Sequence, residues 1–314
     1  MKQSLRQVVV IATIGATLVA PIACDRASGP TDPPPPPAAQ HDIVFESYAS
    51  PLDNQPELFR VRGTGNPTRI LPAGTYATQP GATADGRWIV YMGAGQELSP
   101  DIWISAPDGT SRRRLFSTAE AKLAPSLSPD AAYVTYIELD GAGATSLWLA
   151  YADGTNARPL TIAIPEAVLG HGRAAWSPDG ARLVFSEGTP GSLDLYLGAP
   201  GATSFTRLTR SATSDIEPSW SPDGRRIVFS RVASPARSDL VILDLATMRE
   251  TAFNLAGSNR QPAWSPDGAR IAFSSTLDGG GDHEIYTIAP DGTGIRRVTD
   301  NDVNDRHPVW VRDS

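Results

Sequence analysis

From His41 to the C-terminus, apolar residues fall in short runs that alternate with polar ones and are bounded by Gly, Pro, Asp and Ser. In Ile227-Val228-Phe229-Ser230 and Ile271-Ala272-Phe273-Ser274 the alternation turns one face of an extended strand toward a core. Ahead of these runs stands Ser-Pro-Asp-Gly, at 177–180, 221–224 and 265–268. The proline presets φ, the aspartate can bond its own backbone, and the glycine accepts a left-handed exit, so each copy predicts a hairpin turn between two strands.

The turn belongs to a longer repeat. Residues 218–229 and 262–273 share PxWSPDGxxIxF, and 174–185 repeat it with Ala174 for the first proline and Leu183 for the isoleucine. Weaker copies at 80–91 and 125–136 carry Ala82 and Leu127 where the others have tryptophan. The tryptophan positions are 82, 127, 176, 220, 264 and 310, a period near 45 that marks a repeat architecture. Each repeat continues into a third apolar stretch, such as Ile102-Trp103, Leu195-Tyr196 or Ile285-Tyr286. Most then add a second turn and a short strand ending near Leu115, Leu160, Leu208 or Val298. That predicts four short strands per repeat.

The ends of the chain complete one another. The last copy, from Pro308, has a first strand but no second, whereas the chain from His41 opens on a second strand with no first. With the ends joined, Ile43 and Phe45 follow Trp310 at the offsets by which Ile271 and Phe273 follow Trp264. The prediction is an all-β ring of six four-stranded blades, closed by pairing of the N- and C-terminal strands, which removes two exposed edges.

The repeat, with its later acidic-Ile-Tyr and Asp-Gly elements, resembles the PD40 type of WD40-like repeat found in TolB-like six-bladed β-propellers. The resemblance spans residues 41–314. It departs from TolB itself in leaving no room between Gln40 and the first blade for an N-terminal α/β domain. It implies a propeller of the bacterial cell envelope.

Composition agrees with a turn-rich fold, since Gly and Pro number 28 each in 314 residues. A net charge of −7, with basic residues scattered, excludes nucleic acid as the main partner. The single cysteine, Cys24, excludes a disulfide framework and a Cys-based zinc site. It follows Lys2, Arg6 and an apolar run over 8–20, which is shorter than the roughly 20 residues of a membrane-spanning helix. This arrangement resembles a lipoprotein signal, residues 1–23, with Cys24 as the lipidated residue; an ordinary cleaved signal is the alternative. Residues 24–40 contain five consecutive prolines, Pro33 to Pro37, and read as a stiff tether in front of the propeller domain, 41–314.

Function is sought at the axis and its rims. The resemblance implies polar residues in the loops five positions before each tryptophan position, here Asp305, Ala77, Lys122, His171, Asp215 and Asn259. Near them stand Gln79, Arg173, Glu217, Arg260, Gln261, Arg306 and His307. Superposed, they would make a mixed-charge rim suited to a peptide, a protein loop or a sugar; ordinary solvated loops are the plainer alternative. The sequence has no GxSxG, HExxH or Walker-type loop. Some PD40-like propellers are oligogalacturonide lyases that hold a divalent metal with His and Gln. His171, His307, Gln79 and Gln261 are candidates here, and so a metal-dependent polysaccharide lyase is the alternative function. Asp300 and Asp302 are the remaining candidates for calcium, although Asp305 stands where an EF-hand has glycine. A tryptophan demanded in every repeat reads as core between blades rather than a sugar platform. The expected protein is therefore a non-catalytic, monomeric binding or scaffold module without a cofactor. It would recognise a protein, peptide or cell-wall polymer from the periplasmic side, and touch the membrane only through its lipid.

Overall fold

In a computed structural model, residues 41–48, 55–94, 100–116, 118, 120–139, 145–160, 168–169, 172–189 and 191–312 are described. The signal, Cys24, the tether and His171 lie outside them. The described residues form six antiparallel sheets, each a blade. Blade 1 joins the chain ends, with β25 (Asp305–Val311), β1 (Asp42–Tyr48), β2 (Pro56–Val61) and β3 (Thr68–Arg69). Blade 2 holds β4 (Ala77–Ala82), β5 (Ile89–Ala94), β6 (Pro100–Ser105) and β7 (Arg113–Arg114). Blade 3 holds β8 (Ala121–Leu127), β9 (Tyr133–Leu139), β10 (Thr145–Tyr151) and β11 (Arg158–Pro159). In blade 4 the first strand is split into β12 (Val168–Leu169) and β13 (Ala175–Trp176), followed by β14 (Leu183–Thr189), β15 (Ser192–Gly198) and β16 (Thr206–Arg207). Blade 5 holds β17 (Ser214–Trp220), β18 (Arg226–Ser234), β19 (Arg237–Asp244) and β20 (Arg249–Ala252). Blade 6 holds β21 (Asn259–Trp264), β22 (Ile271–Ser275), β23 (Glu284–Ile288) and β24 (Arg296–Arg297).

The ring closes in the register that the sequence repeat requires. Ile43 faces Trp310 across β1 and β25, as Ile271 faces Trp264 in blade 6 and Ile227 faces Trp220 in blade 5. The Ser-Pro-Asp-Gly turns form as their chemistry predicts. In blade 6, Ser265 Oγ donates to Asp267 Oδ1 at 2.6 Å, Gly268 N donates to the Ser265 carbonyl at 2.9 Å, and Gly268 sits at φ +70°.

Apolar burial lies between blades. Six clusters occupy the six interfaces, as where Val228 and Leu240 of blade 5 meet Trp264 and Phe273 of blade 6. At the closing interface Ile43 and Phe45 meet Ala272 and Ile285. Trp176, Trp220 and Trp264 are buried in this core; Trp88, Trp103, Trp148 and Trp310 pack against it. At two interfaces an arginine of the preceding blade lies over the indole, whereas Arg270 of blade 6 is bonded instead to Thr287. Arg182 lies 4.7 Å from the ring centre of Trp220, and Arg226 lies 4.8 Å from that of Trp264, at a cation–π spacing.

The third strand carries an acid near its start in five blades, Asp239 of blade 5 among them. Glu57, Asp101, Asp194 and Glu284, all buried, pair with Arg69, Arg114, Arg207 and Arg297 of the fourth strand. This pair fastens a two-residue outer strand that has few ladder bonds of its own.

Candidate functional site

The inner strands β25, β4, β8, β12–β13, β17 and β21 surround the axis. In five of them the residue three positions before the tryptophan position has a left-handed backbone: His307 (φ 51°), Gln79 (51°), Ala124 (48°), Glu217 (59°) and Gln261 (53°). The strand register slips at each of these points, so each is a β-bulge. A non-glycine residue held at positive φ is strained, and its recurrence around one ring indicates a device built into the inner strands. Together with Arg173 of blade 4, these residues line one narrow space of about 20 Å³, room for about one water.

Hydrogen bonds run from blade to blade through these bulges. Glu217 accepts the Gln261 amide at 2.8 Å, Gln261 Oε1 accepts the His307 amide at 3.4 Å, and Gln79 Oε1 accepts the Ala124 amide at 2.8 Å. At the seam Glu46 of β1 supplies the acceptor. Its Oε2 takes the Gln79 amide at 2.8 Å and the Thr78 hydroxyl, while Oε1 lies 2.9 Å from His307 Nδ1. The ladder lapses in blades 3 and 4, where Ala124 has no polar side chain and Arg173 can only donate. Arg173 reaches instead to the Pro80 carbonyl of blade 2.

The charges at this neck are unequally answered. Burial works to raise the Glu217 carboxyl, but two bonds from Arg260, at 2.8 and 3.0 Å, and the Gln261 amide hold it at about 2. Burial opposes ionisation of Glu46 as well, and the His307 imidazole with the Thr78 and Gln79 donors holds it at about 2. Arg173 has no carboxylate within ion-pairing distance among the described residues. Burial lowers its guanidinium to about 10, only partly countered by the more distant Glu217 and Glu46.

On the side of the Ser-Pro-Asp-Gly turns, the axis opens into a cavity of about 310 Å³ to which all six inner strands contribute. Its wall is made of tryptophans 176, 220, 264 and 310, prolines of the turns and the hydroxyl residues Thr83, Ser126, Ser219 and Ser265, and Arg173 is its one charged lining residue among those described. Blades 2 and 3 line it with Ala82 and Leu127 in place of tryptophan.

The residues expected on a polar rim are distributed otherwise. Among the described residues the positions five before the tryptophan fall inside the first strands, and Lys122, Asp215, Asn259 and Asp305 are buried. Lys122 Nζ bonds the Glu120 carbonyl and lies 3.5 Å from Glu138; Asp215 is held by Arg231 at 2.7 and 2.9 Å. Asn259 donates to the carbonyls of Ser238 and Ala256, and Asp305 accepts from Asn301 at 2.9 Å. Burial pushes the Asp305 carboxyl up to about 6 against bonds from Ser47, Asn301 and Thr299, and burial also raises Asp215. Arg260 is committed to Glu217, and Arg306 reaches Asn304 Oδ1 at 3.2 Å beside His283. Of the residues named from the sequence, Gln79, Arg173, Glu217, Gln261 and His307 reach the axial neck. Asp300 and Asp302 are exposed, and no group of three or more His, Cys, Asp or Glu positioned for a metal occurs among the described residues.

Sequence reasoning named Arg173 only as a neighbour and passed over Glu46. Neither is marked by the repeat: Arg173 stands where the other blades carry His307, Gln79, Ala124, Glu217 and Gln261, and Glu46 lies on a second strand.

No protein-family model and no curated protein matches the sequence. Among solved structures, the fold is similar to TolB from Acinetobacter baumannii, with a TM-score of 0.73, 20% identity, and coverage of 86% of this chain and 66% of that one. It is similar also to a putative TolB from Agrobacterium tumefaciens, at 0.65 and 16% identity over 87% and 99% of the two chains. An oligogalacturonate lyase in complex with manganese shares the architecture at 0.54 and 16% identity, over 83% and 74%. The chain thus spans just under two thirds of the Acinetobacter protein's length, and at these identities the likeness establishes the six-bladed propeller.

Proposed function

We propose that this chain is a non-catalytic binding propeller of the bacterial cell envelope that receives a protein or peptide partner at the axial face carrying the Ser-Pro-Asp-Gly turns. The observation that carries the reading is the 310 Å³ cavity on the axis, walled by aromatic rings and prolines with a single cation. Its volume stands at the small end of the roughly 300–1,000 Å³ of ligand clefts, and its wall combines indole and proline surface with the hydroxyls of Thr83, Ser126, Ser219 and Ser265 and one charged group. The opposite neck is too narrow for a ligand, and Gln79 and Gln261, candidates for a lyase metal, are engaged in the ladder between blades.

Envelope placement belongs to the same proposal. Residues 1–23 act as the signal, Cys24 carries lipid, and 24–40 space a monomeric propeller from the membrane. Cys24→Ala should abolish labelling by fatty acid and move the chain to the soluble fraction; unchanged labelling would remove the anchor from the model. The binding reading is tested by a photo-crosslinking residue at Pro222 or Pro266, beside the cavity, against Met248 or Ile295 at exposed positions away from it. Discrete crosslinked partners from the axial positions alone are expected. Equal labelling at all four positions would overturn the proposal.

A further inference from the structure

We propose that the axial cavity, taken as the binding site proposed above, recognises a carboxylate attached to an apolar segment, with Arg173 at the cavity floor as its anchor. The carboxylate is that of a peptide C-terminus or of an acidic side chain.

The argument begins with donors. A guanidinium offers five N–H groups in a planar fork suited to a carboxylate, and Arg173 has one hydrogen bond among the described residues, to a main-chain carbonyl. Its nearest acids are already answered: Glu217 holds Arg260 in two bonds, and Glu46 holds His307, Thr78 and the Gln79 amide. The guanidinium is surrounded by protein yet keeps part of its surface toward the cavity. Desolvation without a direct counter-ion depresses its pKa, the state that an entering carboxylate relieves.

The wall selects what accompanies the charge. The guanidinium is surrounded by protein, so a charge-assisted bond to it is stronger than at an exposed arginine, and an apolar flank gains burial against the tryptophan and proline surfaces as it enters. The floor is closed by the 20 Å³ neck, so the cavity is a blind socket that admits the end of a segment or one projecting side chain. Ala82 and Leu127 line it where the other four blades present indoles.

The test uses the purified full chain and three short peptides, followed by intrinsic tryptophan fluorescence, since four indoles line the cavity. One peptide is N-acetylated Gly-Phe-Leu with a free C-terminus, the second is its C-terminal amide, and the third is an amidated peptide with Glu for Leu. At least one carboxylate peptide should bind about tenfold tighter than the neutral amide, and the better of the two identifies the source of the acid. Arg173→Gln, which removes the charge, should abolish the preference, and Arg173→Lys should retain part of it. Should Arg173→Gln fail to fold, Ala82→Trp serves instead, because it fills the cavity without altering charge and should weaken every peptide. Equal binding of acid and amide, a preference that survives Arg173→Gln, peptide binding undiminished by Ala82→Trp, or no binding by any peptide at about 1 mM would each overturn the inference. Axial crosslinking without acid preference would remove this inference alone; loss of axial crosslinking would remove the binding reading beneath it.

Discussion

His307 Nδ1 lies 2.9 Å from Oε1 of Glu46 across the seam where the C-terminal strand β25 meets the N-terminal strand β1. The contact joins the two ends of the chain, and through the Gln79 amide it also joins blade 1 to blade 2. A single buried carboxylate therefore serves both closure of the ring and the ladder around its axis.

Its titration should be visible in stability. The folded carboxyl is held at about 2, below the roughly 4.3 of an unfolded glutamate, so its contribution is complete above the unfolded value and is lost as pH falls through about 2. The depression corresponds to about 3 kcal/mol at neutral pH. Glu46→Gln should lower urea stability by that order at pH 7 and by much less at pH 2. A variant within about 0.5 kcal/mol of wild type at pH 7 would show that the seam does not depend on this charge.

Asp305 should behave oppositely. Its carboxyl is buried and raised to about 6, with Oδ1 lacking a partner among the described residues. The folded state therefore holds its proton more tightly than the unfolded chain. Stability declines as pH rises from about 4 to 6, and the ionised group remains a burden above that. Asp305→Asn should raise stability by about 1–3 kcal/mol at pH 7.5, with the gain vanishing below pH 4. Chemical denaturation across that range checks it, and a loss at pH 7.5 would contradict the assignment.

The ring was legible because its requirements repeat. Trp264 and Trp310 need the same partner register, so the offset from Trp310 to Ile43 is countable in the sequence. The acid–arginine fastening was equally readable, since Asp101–Arg114, Asp194–Arg207 and Glu284–Arg297 share one spacing. The bulge ladder was not readable, because positive φ and a free amide are backbone properties: Gln79, Ala124, Glu217, Gln261 and His307 have no common side-chain chemistry. Burial misled for the same reason. Asp215 and Asn259 look like loop residues in sequence, but they start strands whose polar groups are answered by Arg231, Ser238 and Ser275 within the protein.

Gly86 offers a test of closure through backbone contact. It sits at φ +66°, and a Cβ there would meet the Arg312 amide nitrogen at 2.3 Å and the Val311 carbonyl carbon at 2.9 Å. Gly180 occupies the equivalent turn of blade 4 at φ +70°, with its nearest neighbour, Pro129 Cδ, at 3.7 Å. Gly180→Ala should cost only the left-handed strain, about 1–2 kcal/mol, whereas Gly86→Ala adds a clash with the closing strand and should cost clearly more. Hydrogen exchange should locate the additional loss in β25 and β1, and equal costs in thermal unfolding would separate the closing strand from the blade 2 turn.

The two function classes part over Gln79. As a ladder member its Oε1 accepts the Ala124 amide at 2.8 Å, and truncation leaves that amide unanswered at the axis. Gln79→Ala should then cost about 1–3 kcal/mol, the penalty of an unsatisfied buried donor, whether or not divalent metal is present. As a lyase ligand the same amide would instead make stability depend on metal, because a ligand that binds only the folded state raises its melting temperature by mass action. Thermal unfolding of wild type and Gln79→Ala with and without Mn²⁺ separates these readings. A metal-independent deficit places Gln79 in the ladder, and a wild-type stabilisation by Mn²⁺ that disappears in the variant would return the chain to the polysaccharide-lyase class.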